Sequence, residues 1–132
     1  MSTRCRIGIE LPDGKVRSIY CHHDGYLSGV GKMLNDHYQT AEKVEKLMDL
    51  GDISSLSETV EATYPDAYSH EDVQIREDET TADFWRYAGN CGEEFVYLYE
   101  YQYDLGGCPF HQWSYIEIPY PSSLNEALKN VR

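Results

Sequence analysis

The residues with the most chemistry to offer are two pairs of cysteine and histidine. Cys21-His22-His23 is one, and Cys108-Pro109-Phe110-His111 is the other. A thiolate and an imidazole from each would give zinc the four ligands it prefers, through Cys21, His23, Cys108 and His111. The Cys-x-x-His spacing is tolerable. In the first pair, Cys21 and His22 are adjacent and would point to opposite faces of a strand, so His23 in the following loop is the better partner. Ordinary buried thiols and surface imidazoles account for the same residues, so no metal and no cofactor is expected. His23-Asp24 beside Cys21 also supplies the residue types of a thiol triad. No nucleophile elbow or thiol-protease signature surrounds them, so a small Cys/His enzyme is the least favoured reading and no catalytic residue is assigned. Gly29-x-Gly31-Lys32 lacks the spacing and the Ser or Thr of a phosphate loop and reads as a helix entrance.

Charge is the next source of chemistry. The chain carries a net charge of −12, unevenly spread. From Glu58 to Asp104 there are thirteen acids against Arg76 and Arg86, and the rest of the chain is close to neutral. Such a field repels nucleic acid phosphate and attracts basic protein surfaces. The segment also holds a tyrosine row, Tyr97, Tyr99, Tyr101 and Tyr103, in a chain with 12 tyrosines. Tyrosine gives large contact area at low entropic cost. The core claims Phe95 and Tyr97, whereas Tyr101 and Tyr103 are candidates for surface contact. The candidate partner-binding set is therefore Glu71, Asp72, Glu77, Asp78, Glu79, Asp83, Glu100, Tyr101, Tyr103 and Asp104. Arg4, Arg6 and Arg17 form a smaller basic set that would hold the phosphate of a small nucleotide.

These residues must be positioned by a few elements. Arg4–Tyr26 alternates on either side of Asp13-Gly14, a strong hairpin signal. With a two-residue loop, Glu10 faces Arg17 and Ile9 faces Ser18. One face is then a core face of Cys5, Ile7, Ile9, Leu11, Val16 and Tyr20. The other, with Arg4, Arg6, Glu10, Arg17 and Ile19, is solvated and mostly basic. Ser28 is placed to cap a helix to about His37, and Thr40 a second from Ala41 to Leu50, stopped by Gly51. Residues 52–56 read as a turn, with Ile53 and Leu56 against the core. A short strand is expected over Asp72–Arg76, and Asp83–Ala88 is a helical turn or loop. Glu94–Tyr103 and Phe110–Ile118 alternate as partner strands. Ser122 or Ser123 caps a last helix to about Val131.

The fold expected is α+β in a single domain, residues 1–132: an antiparallel sheet built from the N-terminal hairpin and later strands, covered by about three short helices. Four cysteines are too sparse for a secreted disulfide framework. No apolar run reaches the roughly 18–20 residues of a membrane span, and no apolar signal region opens the chain. A cytoplasmic protein without membrane contact is expected.

Four segments resemble small proteins of bacteriophages, prophages and other mobile elements: Met1–Glu10, Asp13–Tyr26, Gly29–Leu34 and Leu47–Leu56. The resemblance covers roughly the first 56 residues. It implies phage or prophage origin and brings no catalytic motif. Taken with the charge asymmetry, it leads to the expectation of an inhibitor of a host defence or nucleic-acid-processing protein, acting on a basic surface without touching nucleic acid itself. A sponge for a nucleotide signal, built on Arg4, Arg6 or Arg17, is the alternative.

Overall fold

The computed structural model describes residues 3–65, 75–90 and 92–118. Strands β1 (Cys5–Glu10), β2 (Val16–Cys21), β3 (Ile53–Ser55), β4 (Tyr64–Pro65), β5 (Arg76–Asp78), β6 (Phe95–Tyr103) and β7 (Pro109–Glu117) join in one sheet. The order is β4-β3-β2-β1-β6-β7, with β5 also paired to β2. The sheet is mixed rather than antiparallel throughout. β1 runs parallel to β6, and β2 parallel to β3. The helices between these strands explain the difference. Helices α1 (Lys32–His37) and α2 (Ala41–Met48) lie between β2 and β3, and a crossover of that kind returns the chain to enter the sheet in the same direction.

The N-terminal hairpin forms, but its register is one residue away from the expected one. Glu10 faces Val16, Ile9 faces Arg17 and Ile7 faces Ile19. Pro12 is the reason. A two-residue loop would need an N–H from the residue before Asp13, and proline has none. Leu11 supplies it instead, donating to the Lys15 carbonyl at 2.8 Å. Pro12 and Asp13 then occupy the turn, closed by Gly14 N–H donating to the Leu11 carbonyl at 2.9 Å. Gly14, at φ 89°, takes the left-handed position such a three-residue loop requires.

That single step rearranges the faces. Ile19 and Cys21 join Cys5, Ile7 and Ile9 in the main core under α1 and α2, with Val44, Leu47 and Met48 from α2. Val16 moves to the opposite face, into a second cluster with Phe84, Ala88, Val96 and Leu98. Tyr20 faces Arg6, off the main core face. The face that carries Arg6 and Gly8, expected to be solvated, is instead covered by α3 (Thr81–Tyr87), whose Phe84 lies over Gly8. Gly8 makes the close approach possible, since a Cβ there would sit 2.9 Å from Phe84 Cε1.

Two helices are capped by a threonine hydroxyl, the first of them as the sequence predicts. Thr40 Oγ1 accepts from Lys43 N–H, and Thr80 Oγ1 accepts from Asp83 N–H. Gly51 lies beyond the end of α2 at φ 75°. Ser28 caps nothing. The chain enters α1 through a π-helical turn, Leu27–Gly31, with no side-chain cap. Residues 53–55 form β3 instead of a turn, paired at Ile53 with Cys21. β5, Arg76–Asp78, shares Arg76 with the strand expected over Asp72–Arg76. The expected last helix, and the first part of the Asp72–Arg76 strand, lie outside the described residues.

Candidate functional site

The two longest described strands form a hairpin that is buried at one end and exposed at the other. β6 and β7 pair without a break from Phe95–Glu117 to Tyr103–Pro109. β1 flanks β6 only from Phe95 to Tyr99. The far end of this hairpin, Glu100–Gln112, therefore runs past its neighbour by four residues of β6, about 14 Å at the rise of a strand. Its base is held to β1: Tyr101 N–H donates to Glu10 Oε1 at 2.9 Å, and His111 Nε2 donates to the Glu10 carbonyl at 3.1 Å.

The tyrosine row divides as its pattern suggests. Tyr97 and Tyr99 are buried, and Tyr97 donates its hydroxyl to the Gly25 carbonyl at 2.7 Å. Burial, with smaller contributions from Cys5 and Tyr115, pushes the Tyr97 phenol well above its usual range. His111 lies 4.7 Å from Tyr99 and 5.0 Å from Tyr101, centroid to centroid, and Tyr101 meets Tyr103 edge-on at 5.4 Å. Tyr103 is 65% exposed on the Tyr99–Tyr101 face, and Phe110, paired with Gln102, opens to solvent on the opposite face of the hairpin. Leu105 at the tip is fully exposed. Neither composition nor period marks Leu105 or Phe110 as a contact residue. A leucine in a Gly-Gly turn is itself the missed signal, because tight turns are normally polar.

The acids of the candidate set have unequal roles. Glu77 and Glu79 are exposed. Asp78 is paired with Arg76 at 3.0 Å, and Glu100 accepts from Ser114 Oγ and Gln102 Nε2. Asp104 Oδ1 accepts the N–H groups of Gly106 and Cys108, so its carboxylate shapes the tip. Asp83 stands in the first turn of α3, where its charge complements the helix end. Glu71 and Asp72 lie outside the described residues.

Register brings these groups to one end of the sheet. Asp78 faces Val16, Val16 faces Glu10, and Glu10 lies beside Glu100, one step past the Ile9–Tyr99 pair. Glu77 and the hairpin overhang therefore border the same end. Strand spacing puts three gaps, about 14 Å, between β5 and β6.

The basic set does not converge. Arg6 is buried, its Nε 2.6 Å from Glu93 Oε2 and its Nη1 donating to Ser18 Oγ at 3.1 Å. Arg17 reaches Asp49 at 3.2 Å from the other face. Arg4 is exposed at the opposite end, near Gly92. The cysteine and histidine pairs are also apart. Cys21 is level with Cys5 and Phe95, whereas Cys108 lies beyond Tyr103, about 27 Å along the strand. Cys21 Sγ donates to the His23 carbonyl. Among the described residues no group of three or more His, Cys, Asp or Glu has the arrangement of a metal site. No described helix is long and apolar enough to cross a membrane.

No family model, curated protein or solved structure matches the chain.

Proposed function

We propose that this chain is a small, acidic, phage-encoded interaction protein that inhibits a host defence or nucleic-acid-processing protein. It does so in the host cytoplasm by occupying a basic surface, as DNA-mimicking anti-CRISPR and anti-restriction proteins do. The observation that carries the reading is the hairpin overhang. At the same end of the sheet as Glu77 it offers Tyr103 on one face, Phe110 on the other and Leu105 at the tip between them to solvent. From Gly92 to Ile118 the chain contains neither lysine nor arginine. Aromatic anchors with an acidic surround suit a partner whose own surface is basic and partly apolar. The nucleotide-sponge alternative has less to support it, because Arg6 already serves Glu93 and Ser18 inside the fold.

The test is affinity capture from host lysate with the whole chain. A retained basic protein should be released as salt rises, since the Debye length falls from about 8 Å at physiological ionic strength to about 3 Å at 1 M. Replacing Glu77 and Glu79 by lysine should weaken capture, and Tyr103→Ala with Phe110→Ala should abolish it. Retention that ignores salt and survives both double variants would refute the reading.

A further inference from the structure

A second feature lies at the other end of the sheet. A cavity of about 290 Å³ opens between the loop after β2 and the helical segment that follows it. Val30, Met33 and Leu56 give it an apolar side, and all three pack on the main core. Asp24, Asp36 and Glu58 bring carboxylates to its lining, against the ammonium of Lys32 and the imidazole of His37. Lys32 engages Asp36 at 3.2 Å, and His37 lies 3.8 Å from Glu58. Asp24 accepts from the Tyr26 hydroxyl at 3.3 Å and has no basic partner among the described residues.

The loop that carries Asp24 is built to hold still. Asp24 sits at φ 59°, a left-handed backbone that few non-glycine residues adopt. Its carbonyl accepts from Val30 N–H at 2.9 Å, and a Cβ on Gly29 would collide with that carbonyl oxygen. Gly25 is tied on both sides, its N–H to the Thr3 carbonyl and its own carbonyl to the Tyr97 hydroxyl. The carboxylate is thus presented by backbone fixed before any ligand arrives, which lowers the ordering entropy of binding.

We infer that this cavity binds an alkyl-linked cation, a guanidinium or ammonium on a short apolar stem. The stem would lie along Val30, Met33 and Leu56, and the head would meet Asp24 and Glu58. A guanidinium fits best, because it pairs with a carboxylate through two parallel N–H bonds. The excess of carboxylates turns away phosphates and other anions. The volume is at the low end of small-molecule sites, roughly 300–1,000 Å³, and so suits one side chain or a small amine. The cavity follows the Cys21 end of β2, away from the hairpin overhang.

The probes are butylguanidinium, a blocked peptide with one central arginine, and butyrate as an anionic control. Amide resonances of the whole labelled chain are followed by NMR during titration. Butylguanidinium should move the amides of Asp24, Tyr26, Met33 and Glu58, and butyrate should not. Asp24→Asn keeps a residue that tolerates the left-handed backbone, and Glu58→Gln changes an exposed position. Each should weaken binding about tenfold or more while the remaining spectrum superimposes. Equal binding of the peptide assigns the cation to a protein side chain, and binding of butylguanidinium alone assigns it to a free small molecule. No response at 10 mM butylguanidinium, on the order of the weakest specific binding worth testing, overturns the inference. So does binding unchanged in both variants.

Discussion

Replacing Glu93 by glutamine should be among the most damaging single changes to this fold. Its carboxylate is 2.6 Å from Arg6 Nε, with side-chain exposures of 0% and 5%. Arg6 stays charged at any accessible pH. Glutamine keeps the shape and removes the compensating charge. A buried pair broken on one side typically costs about 3–5 kcal/mol, against about 5–15 kcal/mol for a whole domain. The assay is urea unfolding followed by tryptophan fluorescence. With a slope of about 1–3 kcal/mol per molar, the midpoint should fall by at least about 1 M. The double variant Arg6→Met with Glu93→Leu removes both charges. It should recover most of the loss, because apolar replacement of a buried pair is often close to neutral. A loss under about 1 kcal/mol for Glu93→Gln would refute the reasoning, since it would mean water reaches Arg6. A double variant as unstable as the single one would also refute it.

Three further outcomes are expected. Gly8→Ala should cost about 1–3 kcal/mol by overpacking against Phe84. Adding Phe84→Leu should make the alanine less harmful than it is alone, as a double-mutant cycle in urea would show. Thr40→Ala should lower stability by about 1 kcal/mol through loss of the cap on α2, read as a fall in melting temperature. Stability should also decline in alkali. Burial raises the folded phenol of Tyr97 above its ordinary value of 10.0, so its contribution is complete below that pH and is lost as pH rises toward the folded value. Tyr97→Phe should flatten that decline while losing about 1 kcal/mol at neutral pH with the Gly25 bond, measured by unfolding at a series of pH values.

How far the sequence speaks for the fold depends on distance along the chain. The period of two located β6 and β7 within a residue or so, because Phe95 to Tyr103 alternate cleanly. The caps at Thr40 and the hairpin at Asp13-Gly14 are local signals, and both are present. Hairpin register turned on Pro12, whose missing N–H outweighed the Asp-Gly preference. Arg6 read as solvent-exposed because Glu93 is 87 positions away, and no local pattern announces a partner at that separation. The parallel pairings of β1 with β6 and β2 with β3 are likewise properties of long crossovers. The candidate surface was legible at Tyr103, Glu77 and Glu79. Asp104 is exposed as well, with the added role of shaping its own turn, whereas Leu105 was not legible, because its exposure depends on the hairpin outrunning β1.

The pairing of Ile7 with Tyr97 also sets a timetable for synthesis. β1 is an interior strand, and its second edge can be satisfied only when a segment about ninety residues later has been made. At about 5–20 residues per second, that is a wait of roughly 5 to 20 s. Until then the nascent chain holds an N-terminal hairpin whose isolated form is marginal and whose open edge is a template for strangers. Emergence of β6 is therefore the event that ends this exposure. A ribosome paused before Tyr99 carries a chain unable to complete its sheet, and such stalled chains should be the ones that bind chaperones.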